Sequence, residues 1–301
     1  MSSTYVGRFA PSPTGPLHLG SLLTAVASYL DARSADGRWL VRIEDLDPPR
    51  EQAGASEQIL DCLQNYGLHW DGKVRYQSER GEAYESWVQT LLQQQRAFYC
   101  TCSRKQILEA TGSTTYPGTC RHCHQPPAAP HAIRVQVPDS DVAFSDAIQG
   151  PVACNLRQQG GDYIIKRKEG LYAYHLAVVL DDADQGVTHI VRGCDLLEPT
   201  FCQWHLQSVL GLPHPHYAHL PVLVNADGEK LSKQTFAEPL PRQRPWPYLL
   251  YCLRALGQRP PASLRGATPQ QILQWGCEHW SLAAVPRQRT LALEALHPPN
   301  A

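Results

Sequence analysis

Several polar residues near the start of the chain have the types and spacing of a phosphate site. The run Arg8-Phe-Ala-Pro-Ser-Pro-Thr-Gly-Pro-Leu-His-Leu-Gly-Ser21 links two apolar segments through a loop rich in proline and glycine. A strand, a glycine-containing turn and a helix N-terminus form an anion site, because the first amides of a helix lack partners within it. His18 in this turn can also donate a hydrogen bond to a phosphate oxygen. A surface turn with an ordinary histidine is the alternative for the run by itself.

A second group of cationic residues lies far along the chain. Lys230-Leu-Ser-Lys233-Gln234 follows Asn225-Ala-Asp-Gly228, which has the composition of a turn. Two lysines on one loop can neutralise the charge on phosphates while a group is transferred. Taken alone, this run is typical of a surface turn.

Thiols and imidazoles cluster between residues 98 and 130. The members of this cluster are Cys100, Cys102, Cys120, His122, Cys123 and His124. Zinc binds four soft or borderline ligands in a tetrahedron. Three cysteines in a polar segment therefore predict a metal site, and the histidines and Cys123 leave the identity of its fourth ligand open. Reduced cysteines without metal are the alternative.

The elements that must position these residues alternate between strand and helix. The pattern predicts a strand near Tyr5–Phe9, a helix near Ser21–Arg33, a strand near Trp39–Ile43 and a helix near Ser56–Tyr66. Such alternation favours an α/β fold with a doubly wound parallel sheet. Ligands of these sheets bind beyond the carboxyl ends of the strands, where the His18 loop and Glu44 both lie.

The rest of the chain divides into three parts by composition. Residues 98–130 change to Cys, His, Pro and Gly, which indicates an insertion and no further sheet, and residues 239–247 contain four prolines, which indicates a linker. We therefore predict a nucleotide-binding catalytic domain of residues 1–97 and 131–238, a zinc-binding insertion of residues 98–130 and a short helical C-terminal region of residues 239–301.

Composition narrows the class of protein. With 43% hydrophobic and 18% charged residues, no secretory signal and no apolar run of about 18 residues, the chain is expected to be globular and cytoplasmic, without a membrane partner. Its ten cysteines are expected to be reduced. The net charge is −1, yet residues 241–301 carry seven arginines against two glutamates, a +5 tail that suggests a polyanionic partner or a solvated surface.

The two phosphate-binding candidates together resemble one enzyme family. Pro16-Leu-His18-Leu-Gly20 resembles the HIGH signature of class I aminoacyl-tRNA synthetases, and residues 8–15 resemble the form found in glutamyl- and glutaminyl-type enzymes. Lys230–Gln234 occupies the place of the KMSKS motif, in a variant form. The resemblance covers residues 5 to about 240. It implies a Rossmann-like catalytic domain that uses ATP with Mg²⁺.

The same resemblance implies residue roles. The catalytic residues would be His18, Lys230 and Lys233, and ATP would contact Pro16, His18, Gly20, Ser21 and Lys233. The glutamate site would comprise Arg8, Phe9, Ala10, Pro11, Ser12, Glu44, Tyr174 and Arg192, with Glu44 on the α-ammonium group. The side-chain carboxylate of glutamate requires a buried cation, for which Arg8 and Arg192 are available. Structural ion pairs are the alternative: Glu44 with Arg42 or Arg50, and Arg192 with Asp195.

For the metal, the resemblance implies one structural Zn²⁺ held by Cys100, Cys102, Tyr116 and Cys120, although His122, Cys123 and His124 are more usual ligands than tyrosine. Two other features are interpreted as structural. Asp181-Asp182-Ala-Asp184 is expected to be a solvated turn, and His175 is expected to be a pocket-wall or core residue.

Chain length favours one branch of the family. Only about sixty residues follow the lysine motif, too few for the anticodon-binding domains of a full glutamyl-tRNA synthetase. This resembles the truncated glutamyl-queuosine tRNA(Asp) synthetases, which activate L-glutamate with ATP and transfer it to queuosine at the wobble position of tRNA(Asp). A monomer that binds ATP, L-glutamate and queuosine-bearing tRNA(Asp) is expected. The alternatives are a stand-alone glutamyl-tRNA synthetase that charges a tRNA 3′ end, a small nucleotidyltransferase and a non-catalytic tRNA-binding module.

Overall fold

A computed structural model describes residues 4–225, 227–230 and 238–293. The strands are β1 (Val6–Phe9), β2 (Arg38–Ile43), β3 (Arg75–Tyr76), β4 (Ala97–Cys100), β5 (Ala132–Val135), β6 (Asp141–Asp146), β7 (Gly150–Asn155), β8 (Ile164–Lys166), β9 (His189–Gly193), β10 (His216–Leu220), β11 (Val222–Val224) and β12 (Thr290–Ala292). The helices are α1 (Leu19–Ser34), α2 (Ala55–Asn65), α3 (Gly81–Gln93), α4 (Arg104–Thr111), α5 (Leu156–Gln159), α6 (Tyr174–Asp184), α7 (Leu197–Leu210), α8 (Trp246–Ala255) and α9 (Pro269–His279).

Parallel strands form the centre of the molecule. β1 pairs in parallel with β2, β2 with β3, and β9 with β10. Just before β9, the amide of Thr188 donates to the carbonyl oxygen of Val6 at 2.9 Å, so that β9 lies beside β1. The prediction of an α/β fold with a parallel sheet is therefore confirmed.

The strands that precede and follow the insertion in the sequence form antiparallel pairs. β4 pairs with β5, β5 with β8, and β6 with β7 in a hairpin. The expectation that no sheet continues past residue 97 is wrong, because β4 extends to Cys100. Phe98 is fully buried in β4, and aromatic residues favour a half-buried pleated surface. The insertion is thus anchored on a strand.

Helix α1 lies at the centre of the main core. Its Leu22, Val26 and Leu30 are fully buried in one apolar cluster with residues of α8 and α9. At Gly276 in α9, a Cβ atom would lie 2.9 Å from Leu30, so glycine permits the close approach of the two helices. The C-terminal helices therefore share the core of the catalytic part, at a gain of roughly 1.5–3 kcal/mol for each large apolar side chain buried.

Local sequence signals end or begin several helices. Gly67, with φ of +76°, follows the last turn of α2, as a left-handed residue commonly does. Thr268 and Gln271 form a capping box at the start of α9, and Ser103 and Gln106 form another at the start of α4. These helix ends are therefore set by residues that lie close to them in the sequence.

All ten cysteines are free thiols. Within the described ranges, no helix combines the length and the apolar character needed to span a bilayer.

Candidate active site

A cavity of about 780 Å³ opens at the carboxyl ends of β1, β2 and β9. Many of the residues that the sequence assigned to glutamate or ATP line it: Arg8, Phe9, Ala10, Pro11, Ser12, His18, Gly20, Ser21, Glu44, Tyr174, Arg192 and Lys230. This is the edge at which parallel α/β sheets bind their ligands. The fold thus brings residues separated by more than 200 positions to one site.

His18 caps the helix that begins at the cavity. Its Nδ1 accepts hydrogen bonds from the amides of Gly20 at 3.1 Å and Ser21 at 3.3 Å. These amides lack acceptors within the helix, as expected, and the imidazole of the N-cap residue accepts from them. A neutral imidazole that accepts at Nδ1 carries its proton on Nε2. The capping interaction therefore fixes Nε2 as a donor.

Lys230 lies on the opposite side of the same cavity. Its Nζ is 2.6 Å from Oδ2 of Asp195, and both side chains are partly exposed. Beyond the lysine motif the chain returns to the first motif, because the amide of Leu240 donates to the carbonyl oxygen of Leu17 at 2.9 Å. The described segment that begins at residue 238 is thereby joined to the first motif. Lys233, the other predicted catalytic lysine, lies outside the described residues.

A buried ionic network holds Arg8 and Glu44 in one wall of the cavity. Asp182 accepts from Nε of Arg8 at 3.1 Å, from Nη2 of Arg8 at 3.3 Å and from Nη1 of Arg42 at 2.7 Å. Arg42 also lies 3.4 Å from Glu44. Burial raises the pKa of Glu44, while Arg42 and Arg8 oppose that rise. Two guanidinium groups thus balance two carboxylates, and an added ammonium group would favour the ionised form of Glu44.

The sequence had indicated that Asp181, Asp182 and Asp184 form a solvated turn, and this is wrong: all three lie in α6, and only Asp184 is exposed. Asp181 and Asp182 lie in α6 and are buried. Asp181 accepts hydrogen bonds from Gln77 at 2.9 Å and from Tyr84 at 2.7 Å. The apolar residues of α6 carry both carboxylates into the interior, where basic and polar partners offset the cost of burying charge.

The guanidinium of Arg192 lies in a very different setting on β9. It donates to the hydroxyl of Thr200 at 2.6 Å, to Oε1 of Gln203 at 2.6 Å and to the hydroxyl of Tyr174 at 3.3 Å. The ion pair with Asp195 that we considered as an alternative is not formed, since Asp195 contacts Lys230 instead. Arg192 is therefore a buried cation at the cavity whose described partners are neutral.

One of those partners is a buried histidine. Nε2 of His219 accepts from Nε of Arg192 at 3.1 Å, and Nδ1 of His219 lies 2.6 Å from Oδ2 of Asp146. Burial lowers the pKa of His219, with Arg192 acting in the same direction and Asp146 opposing. His219 is therefore a neutral acceptor toward the arginine.

A smaller cavity of about 220 Å³ shares a wall with the first. Ser12, Glu44 and Tyr174 line both cavities, whereas Arg167 and Tyr172 line the smaller cavity and not the larger one. The shared wall contains the predicted ammonium-binding carboxylate. A second molecule in the smaller cavity would thus lie beside a ligand of Glu44.

The predicted metal ligands come together in the insertion. The sulfur atoms of Cys100, Cys102 and Cys120 lie within 4.8 Å of one another, and those of Cys102 and Cys120 are 3.6 Å apart. The hydroxyl oxygen of Tyr116 is 3.6 Å from Sγ of Cys100. His122, Cys123 and His124 do not belong to this close group. Burial acts to raise the pKa of Cys100, but the Tyr116 hydroxyl and Arg134 lower it overall, which favours a thiolate.

Comparison with known proteins agrees with this geometry. The model of the family described as tRNA synthetases class I (E and Q), catalytic domain, matches residues 5–240. The chain belongs to this family.

Curated relatives of this class I synthetase chain match almost its whole length. It is 52% identical over 293 residues to the glutamyl-Q tRNA(Asp) synthetase of Ectopseudomonas mendocina (strain ymp), covering 97% of this chain and 98% of the relative. It is 53% identical over 297 residues to the protein of the same name from Pseudomonas aeruginosa PAO1, covering 98% of this chain and all of the relative.

Solved structures show the same fold in a longer synthetase. A glutamate tRNA ligase from Elizabethkingia meningosepticum CCUG26117, in complex with its amino acid, is 25% identical with a TM-score of 0.80. The match covers 96% of this chain and 67% of that one. The glutamate-tRNA synthetase of Elizabethkingia anophelis gives the same identity and TM-score, with 97% and 68% covered.

The sequence of this class I chain predicted most of the residues that line the cavity, but not the residues that hold them in place. Of the residues predicted for ATP, Pro16 is half-buried and lies outside the cavity lining. Sequence reasoning assigned no role to Asp146 or His219 and took Asp182 for part of a solvated turn, although each of them holds a predicted residue in place. It named Arg42 only as an alternative partner of Glu44, and that ion pair is present at 3.4 Å. The only local signal was the pair Asp181-Asp182 in an otherwise apolar helix, whose burial requires basic partners.

Proposed function

We propose that this protein activates L-glutamate with ATP and transfers the glutamyl group to queuosine in the anticodon of tRNA(Asp). The observation that carries the proposal is the match of 50–53% identity, over 95% or more of the chain, to relatives named glutamyl-Q tRNA(Asp) synthetase. The cavity supports it, because it combines a buried cation, a buried carboxylate and a histidine at a helix N-terminus.

The cavity has a complementary group for each charge of glutamate. Arg192 would hold the side-chain carboxylate, and Glu44 would hold the α-ammonium group. Arg8, paired with Asp182, fixes the wall between them. A ligand held at both ends has its α-carboxylate in one orientation, which reduces the entropy cost of reaction.

Two chemical steps follow. An oxygen of the α-carboxylate attacks the α-phosphorus of ATP, which forms glutamyl-adenylate and releases pyrophosphate. A queuosine hydroxyl then attacks the carbonyl carbon, loses its proton and releases AMP. Nε2 of His18, Lys230 and, by the family resemblance, Lys233 would stabilise the phosphate charge, with Mg²⁺ entering with ATP.

We also infer that the cysteine cluster holds one structural Zn²⁺. A regular tetrahedron with Zn–S bonds of 2.3 Å places its sulfur atoms about 3.8 Å apart. The 3.6 Å separation of Cys102 and Cys120 and the 3.6 Å separation of Cys100 from the Tyr116 hydroxyl fit two edges of such a site. The metal would tie β4 to the loop that contains Cys120.

The remaining parts of the chain are proposed to contact tRNA. Residues 98–130, as the zinc-binding insertion, and the basic region 239–301 would flank the catalytic domain of residues 1–97 and 131–238. Seven arginines of the latter region provide the positive charge that a phosphate backbone requires. The smaller cavity beside Glu44 provides space for an acceptor nucleoside.

The decisive experiment supplies labelled glutamate and ATP with tRNA(Asp) that contains or lacks queuosine. Labelling confined to the queuosine pool, and retained after the 3′-terminal adenosine is removed, is expected. Labelling of tRNA(Glu) at its 3′ end would instead support an ordinary glutamyl-tRNA synthetase, the second candidate, which the structural match to glutamate-tRNA ligases favours. Absence of glutamate-dependent exchange between ATP and pyrophosphate would contradict both.

Metal content tests the zinc proposal separately. One zinc per chain is expected in the protein and in Cys154→Ser, which changes a buried cysteine outside the cluster. Cys120→Ser is expected to lose the metal, because only two thiolates remain. Equal zinc content in the two variants would contradict the assignment.

A further inference from the structure

We infer that Asp146 and His219 are positioning residues that orient Arg192 for the side-chain carboxylate of the amino-acid substrate. The inference rests on the proposed function, since it assigns Arg192 to that carboxylate. Neither residue lines the larger cavity, so both act through the arginine.

Asp146 is held in place by the backbone. Its Oδ1 accepts from the amides of Ile148 at 3.0 Å, Gln149 at 2.8 Å and His219 at 3.2 Å. Its Oδ2 is left to accept from Nδ1 of His219 at 2.6 Å. Burial acts to raise the pKa of Asp146, but His219 and the amide of Gln149 lower it overall, so the group is an ionised acceptor. A carboxylate fixed in this way is a directional acceptor with no freedom to rotate.

The carboxylate determines which nitrogen of His219 carries the proton. Because Asp146 can only accept, the hydrogen lies on Nδ1 of His219 and the lone pair lies on Nε2. That lone pair accepts the Nε hydrogen of Arg192 at 3.1 Å. The side chains of both Asp146 and His219 are fully buried, which excludes water as a substitute partner.

The remaining contacts of Arg192 complete its orientation. Nη2 donates to Thr200 and Gln203, and Nη1 donates to Tyr174. A guanidinium has five N–H groups, so four are used by these contacts within the described chain and the fifth lies on Nη1. Nη1 also bonds Tyr174, which lines the cavity, and this nitrogen is therefore the one presented to a ligand.

Reversal of the histidine tautomer would disturb this arrangement. An asparagine at position 146 can donate from its amide to Nδ1, which moves the proton to Nε2. The Nε2 hydrogen of His219 could then be accepted by Oγ1 of Thr200, 3.0 Å away, but the Nε hydrogen of Arg192 would face another N–H group and lose its acceptor. A buried unsatisfied donor costs about 1–3 kcal/mol, and Arg192 would relieve that cost by turning away.

The test measures glutamate-dependent exchange between ATP and pyrophosphate, with tRNA supplied, in Asp146→Asn, His219→Phe and His219→Gln. Asp146→Asn and His219→Phe are expected to raise the KM for glutamate at least tenfold while the KM for ATP stays within about twofold. His219→Gln places an amide oxygen near the position of Nε2, and it is expected to retain a KM for glutamate within about threefold of the wild type. His205→Phe is the matched control, since it removes a buried histidine outside the cavity.

Three results would overturn the inference. These are an unchanged KM for glutamate in both Asp146→Asn and His219→Phe, an equal rise in the KM for ATP, and the same loss in His219→Gln as in His219→Phe. If His219→Phe fails to fold, Asp146→Asn and His219→Gln decide by themselves, because both keep the volume of the buried side chain. Absence of exchange in the wild type would contradict the proposed function instead.

Discussion

Arg8 and Arg192 reach the same cavity from different strands, but Arg8 is paired with a carboxylate and Arg192 with neutral groups. Arg8 makes two contacts of 3.1 and 3.3 Å to the carboxylate of Asp182. Within the described chain, Arg192 donates to two hydroxyl groups, to one amide oxygen and to the neutral imidazole of His219. Both arginine residues are buried, at 3% exposure each. The difference is therefore in electrostatic compensation and not in burial.

This difference assigns distinct tasks to the two cations. A guanidinium compensated by a buried carboxylate has little charge left for a ligand, whereas one held by neutral acceptors keeps nearly all of it. Arg8 is thus suited to fixing the wall, and Arg192 to binding an anion. On the proposed function, the choice of hydrogen-bond partner would separate the residue that stabilises the wall from the residue that binds the substrate.

The largest effect is expected when the wall loses its central carboxylate. Asp182→Asn leaves Arg8 and Arg42 with Glu44 as their nearby anion, and removal of one partner of a buried ion pair costs about 3–5 kcal/mol. The free energy of unfolding, measured in urea, should fall by that amount. The double variant Arg8→Gln/Asp182→Asn should lose less than the sum of the two single losses. Additive losses would show that the pair is not coupled.

Removal of Arg192 should weaken the use of glutamate and should have less effect on the free energy of unfolding. Arg192→Gln is expected to reduce kcat/KM for glutamate by about 100-fold, near 3 kcal/mol, because an anion loses its buried charged partner. Steady-state exchange kinetics measure this, with Arg33→Gln as a control on a partly exposed pair with Asp71. If Arg8→Gln alone raised the KM for glutamate more than Arg192→Gln, the assignment of tasks would be reversed.

The pH dependence of glutamate binding tests the carboxylate beside the wall. Burial raises the pKa of Glu44 above its ordinary value, so this group should lose its charge at a higher pH than an exposed glutamate. Protonated Glu44 cannot pair with an ammonium group, and the KM for glutamate should therefore rise as the pH falls. Glu44→Gln should show a higher KM with a weaker pH dependence. Parallel profiles in the two proteins would assign the titration to another group.

The smallest effect on stability is expected at the exposed pair of Lys230 and Asp195. Both side chains are about a third to a half exposed, and such pairs contribute less than about 1 kcal/mol. Lys230→Met should therefore change the urea midpoint little while it slows adenylate formation. A large loss of stability would mean that this lysine belongs to the structural wall and not to the reactive edge.

A feature of this protein could be predicted from the sequence when the residues that indicate it lie within one short stretch. Glycine and proline around His18, and the polar residues directly after β1 and β2, are features of short stretches, so the parallel sheet and its reactive edge could be inferred. His219 has no such signal, and the pair Asp181-Asp182 among the apolar residues of α6 does not show which distant residues would pair with a buried charge. The misinterpretation of Asp181 and Asp182 as a solvated turn had this cause.

Strand β12 also could not be predicted from its local sequence. Thr290–Ala292 is only three residues long and follows a proline-containing segment, so neither length nor alternation marks it. Its pairing with β11 depends on residues about 70 positions away, with Val222 opposite Thr290. The C-terminal helices were predicted, but their place in the core of α1 was not, since helical periodicity shows which face is apolar and not what covers it.

The pairing of β11 with β12 also sets the order in which the protein can become active during synthesis. The ribosome releases the chain from the N-terminus, and early segments can fold as soon as their partners exist. β11, which leads to Lys230, pairs with β12 only after residue 292 has been made. The helices α8 and α9, which cover α1, are also made late, so a nascent chain that ends before residue 246 lacks both these helices and the partner of β11. Prematurely terminated products would therefore lack part of the main core as well as the strand beside β11, and they are expected to be inactive.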